Sequence, residues 1–388
     1  MMNKNFIYPG NWIGILGGGQ LCRMLCSSAQ RMGFKVMVID PSKDSPAFSK
    51  ADRYIQSDYN DLYALKELSK NCVSVTTEFE NVPSESLRIL KDLKCIVSPD
   101  YKSMNILQNR NKEKLLIKNL GIVNYKNKKI EKYSDIIGAE KYFFPGFLKL
   151  SSSGYDGKGQ FFVITVRQTI EAFDLLKNKV CILESIVKIK KEFSLILVRG
   201  LNKIIKYFPL IINDHSNGIL IKSIISKISE KFIYKKILEI SIKILNKLNY
   251  FGILCIEFFL TYDNKIFVNE IAPRTHNSGH YTIDSCLTSQ FEQNIRVITG
   301  QPLGNTRLLR STIMLNLLGN SWFLNNKLSI DPNWYSILSL NNVKLHIYGK
   351  KFVKYNRKIG HINCFSNNLN ISQKVFSKVS YIIKNYYR

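Results

Sequence analysis

The chain has 388 residues, 45% apolar and 12% aromatic, enough to bury a sizeable core in roughly two or three domains. Its longest apolar run, Phe251 to Leu260, is broken by Glu257 and falls short of the roughly 20 residues that cross a bilayer. The formal charge of +27, from 56 basic and 29 acidic residues, is spread along the whole chain with no base-reading module, so solvated faces are expected rather than a nucleic-acid groove.

The start lacks the apolar core of a secretory signal, which predicts a cytoplasmic protein with no membrane partner. The eight cysteines, Cys22, Cys26, Cys72, Cys95, Cys181, Cys255, Cys286 and Cys364, form no CxxC pair and sit mostly in apolar stretches. Buried free thiols are expected, not a metal centre or a disulfide framework.

In chain order, a short apolar strand at Trp12 to Leu16 runs into Gly17-Gly18-Gly19 and an amphipathic helix over Gln20 to Met32. A strand at Lys35 to Ile39 ends in Asp40-Pro41. This β-turn-α-β order predicts an α/β fold that begins with a Rossmann-like parallel sheet. The unit is extended by a helix near Leu62 to Lys70, a strand at Val73 to Thr77, a helix near Ser84 to Leu93 and a strand at Cys95 to Val97.

From about residue 105 the pattern changes to a helix carrying Asn109, Arg110, Asn111 and Lys112, followed by β-rich sequence. Strands are expected at Phe147 to Leu150, Val180 to Glu184 and Phe193 to Val198, then a long helix with Ile233, Ile237, Ile240, Ile244 and Leu248 on one face. Strands and turns are expected over the last 80 residues.

Three places carry chemistry. The triple glycine lets backbone approach an anionic group at a helix N-terminus, and Asp40 imitates the acidic residue of a dinucleotide fingerprint. The third fingerprint glycine is replaced by Cys22, so a tight turn needed only for packing explains the motif equally well. The stretch Ser151 to Gln160 holds three glycines, three serines and one lysine, a composition suited to a mobile loop that closes amides and an ammonium over phosphates. It does not match GxxxxGK[ST], which excludes a P-loop.

The third place is a hairpin. Strand-like runs at Ile253 to Leu260 and Lys265 to Ile271 meet at Asp263-Asn264; with those two residues as the turn, Glu257 stands opposite Glu270 on one face. Opposed carboxylates in an apolar sheet repel and are costly to desolvate, and a divalent cation resolves both problems. Carboxylates suit Mg²⁺, and Asn269 can add an oxygen only if the strand is distorted there. The loop that follows, with Arg274, His276 and His280, suits an anionic substrate.

Taken in order, GILGGGQL (14–21), TEFENVP (77–83), SGYDGKGQ (153–160), PLIINDHSNGI (209–219) and VNEIAPRTHNSGHYTIDSCLTSQFEQ (268–293) resemble the 5-(carboxyamino)imidazole ribonucleotide synthetases, ATP-grasp ligases of purine biosynthesis. The resemblance implies an ATP-grasp fold in three parts: a Rossmann-like domain over 1–104, an ATP-grasp region over 105–302 with a lid at about 120–186, and a small C-terminal domain over 303–388. The implied activity is carboxylation of 5-aminoimidazole ribonucleotide with ATP, Mg²⁺ and bicarbonate, through carboxyphosphate, in a homodimer.

The same resemblance implies that Arg110 and Lys149 contact ATP phosphates, that Gly154, Tyr155, Asp156, Gly157, Lys158, Gly159 and Gln160 form the lid loop, and that Glu184, Ser185, Ile186 and Val187 line the adenine pocket. By the same resemblance Glu192 would hold ribose, His215 would lie near the nucleotide, and Glu257, Asn269 and Glu270 would position Mg²⁺. Tyr155, Arg274 and His276 fall where the family handles bicarbonate and the carboxylated intermediate. Gly19, Gln20, Leu21 and Glu78 match ribonucleotide-binding loops, with the 5′-phosphate held by Lys350 or Lys351 and by Arg357. Cys22 and Thr275 depart from the family pattern, and the phosphate-binding tail after His346 carries one extra residue. The rivals are a formate-dependent glycinamide ribonucleotide transformylase of the same fold and a nicotinamide-dependent oxidoreductase built on the glycine turn.

Overall fold

The computed structural model describes residues 6–152, 159–226, 231–324, 327–328 and 331–385. The N-terminal part comprises β1 (Trp12–Leu16), α1 (Gln20–Arg31), β2 (Lys35–Asp40), β3 (Arg53–Gln56), α2 (Leu62–Asn71), β4 (Ser74–Thr77), α3 (Ser84–Asp92) and β5 (Ile96–Ser98). Its five strands are all parallel, in the order β3-β2-β1-β4-β5. Helices on the faces of such a sheet leave its central strands no solvent side, which is why Ile13, Ile15 and Leu16 are buried without alternation. α1 buries Leu21, Cys22, Leu25, Cys26 and Ala29, the stripe its periodicity predicts.

The single helix expected after residue 105 is two, α4 (Tyr101–Leu107) and α5 (Arg110–Asn119). Asn109 is the reason: its side chain accepts from the Lys112 amide at 3.1 Å and caps α5, so Arg110 opens the helix rather than lying within one.

The next elements are β6 (Asn127–Ile130), α6 (Tyr133–Ile137), β7 (Gly146–Leu150), β8 (Gln160–Val163), α7 (Val166–Leu175) and β9 (Cys181–Ser185), whose strands form a four-stranded antiparallel sheet. The strand order is β6-β9-β7-β8, over a core of Ile130, Leu148, Phe173 and Leu183.

The remaining elements are β10 (Ile189–Arg199), β11 (Ile205–Tyr207), β12 (Ile211–Ser216), β13 (Ile219–Ile225), α8 (Lys231–Lys247), β14 (Gly252–Thr261), β15 (Ile266–Ala272), α9 (Thr282–Ser285), α10 (Gln290–Ile298), β16 (Ser311–Leu318), β17 (Phe323–Leu324), β18 (Lys327–Leu328), α11 (Trp334–Leu338), β19 (Val343–Ile347), β20 (Lys358–Ser366) and α12 (Leu369–Asn385). A nine-stranded sheet runs β15-β14-β10-β12-β13-β16-β20-β19, with β11 added to β10. α8 covers it with Ile237, Ile244 and Leu245 against Leu195, Leu197, Leu254 and Ile256.

Because β16 pairs with β13, the sheet passes without a break from the central region into the C-terminal one. The sequence predicts only strands and turns for the last 80 residues, but the 17-residue α12 ends the described chain. Its Val375, Phe376, Val379, Ile382 and Ile383 pack into the cluster around Ile362 and Cys364, a helical spacing obscured by the intervening Lys and Ser.

All eight cysteines are buried and free. Among the described residues no helix is long and apolar enough to cross a membrane.

Candidate active site

β14 and β15 bring Glu257 opposite Glu270, by a route the sequence did not predict. The turn is three residues, Tyr262-Asp263-Asn264, closed by Thr261 N–H to Lys265 O at 3.0 Å, with Asn264 in the left-handed region at φ 59°. Near the turn Leu260 therefore pairs with Ile266 and Phe258 with Val268, a register that carried onward sets Glu257 against Asn269. A bulge between Phe258 and Glu257 absorbs Asn269 as an extra residue and restores the Glu257–Glu270 pair. The same distortion brings Asn269 Nδ2 to 3.4 Å from Glu257 Oε2.

Burial, with Glu270 and Glu192 nearby, pushes the Glu257 carboxyl up to about 7, although His215 and Lys358 oppose the shift. Arg110, in the first turn of α5, places both terminal nitrogens 3.4 Å from Glu270 Oε2. Among the described residues no group of three or more His, Cys, Asp or Glu could hold a metal by itself. Two carboxylates and an amide nevertheless suit a hard cation that takes its other ligands from phosphate oxygens and water, as Mg²⁺ does.

His276 Nε2 lies 3.6 Å from Glu257 Oε1. Its Nδ1 accepts from the Ser278 amide at 3.3 Å, so the neutral ring carries its proton on Nε2, facing Glu257. Burial, aided by Arg274 and Lys358, holds its pKa well below the usual value, so the ring is neutral. Arg274 pairs with Glu80 and donates to its neighbour Thr275 O at 2.9 Å. His215 Nδ1 is 2.6 Å from Glu192 Oε2; burial works against protonation, but Glu192 and Glu257 outweigh it and raise the His215 pKa. His280 belongs elsewhere: it is buried, 3.5 Å from Gln290 and with its ring centroid 4.8 Å from that of His361.

In the four-stranded sheet, Lys149 Nζ of β7 lies 2.7 Å from Glu184 Oε2 at the end of β9. Burial penalises that carboxylate, yet Lys149, Lys114 and Arg110 bring its pKa down to about 2. Ser185 donates to Lys126 O at 3.3 Å, Ile186 is exposed and Val187 half-buried. Gly159 sits at φ +72° and Gln160 pairs with Lys149. Gly154, Tyr155, Asp156, Gly157 and Lys158 lie outside the described residues.

The glycine turn before α1 receives an anion, but it is one of the protein's own. Glu78 accepts from the amides of Gly19 at 2.9 Å and Cys22 at 3.2 Å, capping the helix from the end of β4. Asp40 accepts from Gly18 N–H at 2.7 Å, from Ser42 N–H at 2.8 Å and from the Tyr59 hydroxyl at 2.8 Å. Asp40 thus braces the turn, and the amides a nicotinamide dinucleotide would need are taken. Burial raises the Glu78 pKa, against the pull of the Gly19 and Cys22 amides and of Arg274.

The phosphate-binding candidates stand apart from the Glu257 cluster in what they touch. Lys351 pairs with Asp44 at 3.2 Å, Lys350 lies 5.8 Å from the Tyr348 ring centre, and Arg357 donates to Phe352 O at 2.8 Å.

Sequence reasoning missed Glu80, Glu113, Lys114 and Lys358. Glu80 was visible in TEFENVP beside Glu78, and Lys358 next to Arg357. Glu113 and Lys114 carried no signal, because adjacent opposite charges on a helix ordinarily face water. Here both are buried, and burial pushes the Glu113 carboxyl up to about 7 even with Lys114 beside it.

Comparisons with known proteins match the chain in three consecutive parts: the ribonucleotide synthetase preATP-grasp domain at 11–108, the ATP-grasp domain at 115–291 and the phosphoribosylaminoimidazole carboxylase C-terminal domain at 312–374. The N5-carboxyaminoimidazole ribonucleotide synthase of Bacillus subtilis is 44% identical over 368 residues, covering 93% of each chain. That of Staphylococcus aureus is 39% identical over 376 residues, 96% of this chain and 97% of the relative. The crystal structure of Staphylococcus aureus N5-carboxyaminoimidazole synthetase with ADP superposes with a TM-score of 0.88 at 38% identity, over 98% of this chain and all of the other. An Aspergillus clavatus synthase bound to ADP and 5-aminoimidazole ribonucleotide gives 0.86 at 26% identity, over 97% of this chain and 100% of the other.

Proposed function

The chain belongs to the N5-carboxyaminoimidazole ribonucleotide synthetases, ATP-dependent ligases of purine biosynthesis that carboxylate 5-aminoimidazole ribonucleotide, and on that premise we propose how its residues share the work. The carboxyl source is bicarbonate. One of its oxygens bonds to the γ-phosphorus of ATP as the bond to ADP breaks. The resulting carboxyphosphate splits into CO₂ and phosphate; the exocyclic amine of the ribonucleotide then forms its N–C bond to CO₂ and gives up a proton.

Glu257, Asn269 and Glu270 hold Mg²⁺, which when bound spreads the charge of the phosphate chain. Arg110 and Lys149 bind the phosphates, and Glu184 to Val187 receive adenine, with Glu192 and His215 toward the ribose. Glu184 Oε2, 2.7 Å from Lys149 Nζ, holds that ammonium in place for the phosphates. Arg274 and neutral His276, with Tyr155, orient bicarbonate: a guanidinium fixes the anion and the Nε2–H donates to it without competing for the transferred phosphoryl. Residues 154–160 are assigned to the ATP phosphates, in a site that must exclude water because water would hydrolyse carboxyphosphate.

Gly19, Gln20, Leu21 and Glu78 contact the ribonucleotide, whose 5′-phosphate is taken by Lys350 or Lys351 with Arg357. Residues 1–104, 105–302, with a lid at about 120–186, and 303–388 serve as the three parts, and the enzyme works as a cytoplasmic homodimer. Sedimentation would test the dimer.

The observation that carries this reading is the opposed Glu257–Glu270 pair, with Asn269 drawn in and Arg110 at its flank. ADP release should require 5-aminoimidazole ribonucleotide together with bicarbonate. Release driven instead by formate and glycinamide ribonucleotide would overturn the choice of co-substrate.

A further inference from the structure

We propose that Glu113 and Lys114 are positioning residues whose paired side chains hold the bulge in β15 that turns Asn269 and Glu270 toward Glu257. The inference rests on the cation site proposed above and says how this chain keeps it in shape.

Among the described residues β15 is the edge of its sheet, with a strand neighbour on one side of its backbone only, and the bulge removes further ladder bonds where Asn269 is inserted. α5 supplies the missing partners. Lys114 Nζ donates to Asn269 O at 2.7 Å and to Val268 O at 3.3 Å. Glu113 Oε2 accepts from Ile271 N–H at 3.1 Å. The carbonyls before and at the bulge and the amide just beyond it are thus gripped by two consecutive side chains, one a donor and one an acceptor, with Glu270 between them.

Both side chains are almost sealed from solvent, at 3% exposure or less, and their charges are 3.8 Å apart. A buried ion pair is weak evidence for stability, because desolvating two charges offsets much of what their attraction returns. Its geometry is better explained by orientation: an amine donates to carbonyls and a carboxyl oxygen accepts an amide, and no apolar pair of the same size could do either. Lys114 also donates to the Tyr125 hydroxyl at 2.9 Å, which in turn donates to Glu184 Oε1 at 3.2 Å. The clamp is therefore braced from the four-stranded sheet.

Outer partners that orient ligands typically change metal affinity by about 10–100-fold when removed. The test is Mn²⁺ binding to the enzyme–ADP complex, read from the paramagnetic signal of free Mn²⁺, alongside ribonucleotide binding and thermal unfolding. A folded Lys114→Met variant is expected to weaken Mn²⁺ binding by about 10–100-fold and leave ribonucleotide binding unchanged. Unchanged Mn²⁺ affinity, or equal weakening of both ligands, would overturn the clamp.

Should that variant fail to fold, Glu113→Met and Glu113→Gln decide: glutamine keeps an acceptor for the Ile271 amide and methionine does not. Only the methionine variant is expected to weaken Mn²⁺ binding by about tenfold or more, and equal affinities for the two sink the proposal. Glu270→Gln separates the two readings. If it too leaves Mn²⁺ affinity untouched, the cation site itself is wrong; if it weakens binding while the α5 variants do not, only the clamp is.

Discussion

Asn269 Nδ2 stands 3.4 Å from Glu257 Oε2, although in a regular ladder a residue adjacent to Glu270 would face the opposite side of the sheet. The bulge thus gathers three oxygen-bearing side chains on one face, and their loss is measurable. Glu257→Gln and Glu270→Gln should each fold and each need at least about tenfold more Mg²⁺ for half-maximal ADP release. Wild-type Mg²⁺ dependence in both variants would remove the metal assignment.

That pair also shows what sequence could and could not reveal. Glu257 against Glu270 was legible because alternation fixes the buried face, and the count reached the right partner through two errors that cancel, a turn one residue longer and a bulge one residue wide. The parallel sheet and α8 were legible from apolar spacing alone. Asn109 is readable as a cap, but apolar spacing alone runs one helix through it, and α12 is hidden because its apolar positions are interleaved with Lys, Ser and Asn. The contacts of Glu113 and Lys114 were not legible at all, since they join residues about 155 positions apart through backbone atoms, which leave no mark in side-chain chemistry.

Glu184 ties stability to pH. Its folded pKa, about 2, lies below the ordinary value, so its contribution is full above about pH 4.5 and is lost as pH falls toward 2. The shift corresponds to the order of 3 kcal/mol. Glu184→Gln should therefore be less stable than wild type at pH 7 by a few kcal/mol, with the gap closing below about pH 4. Denaturant titrations at several pH values would show it; a gap independent of pH would mean that the Lys149 and Lys114 pairs do not set this carboxylate.

Gly19 is required by Glu78. A Cβ there would lie 2.6 Å from Glu78 Oε1, so Gly19→Ala must push the carboxylate away from the Gly19 and Cys22 amides. Overpacking and two weakened bonds predict a loss of about 1–3 kcal/mol, read from the denaturant midpoint, with a raised KM for the ribonucleotide. A change within about 0.5 kcal/mol would show that Glu78 moves freely and does not cap α1.

The phosphate role proposed for the C-terminal tail can be tested directly. Arg357 is fixed by its bond to Phe352 O at 2.8 Å, whereas Lys351 is largely exposed and paired with Asp44 of the N-terminal part at 3.2 Å. A charged hydrogen bond to phosphate contributes roughly 1.5–3 kcal/mol, so Arg357→Ala should raise the KM for 5-aminoimidazole ribonucleotide about ten- to hundredfold and leave that for ATP nearly unchanged. Lys350→Ala and Lys351→Ala then identify the second cation, because only the one that meets phosphate should repeat the effect. If Lys351 serves, it must leave Asp44, and Asp44→Ala should lower the KM modestly by freeing it; if Lys350 serves, Asp44→Ala should leave the KM alone. An Arg357→Ala variant altered only in its ATP dependence would move the tail from the ribonucleotide to the nucleotide and overturn this assignment, while leaving the Glu257–Glu270 site as it stands.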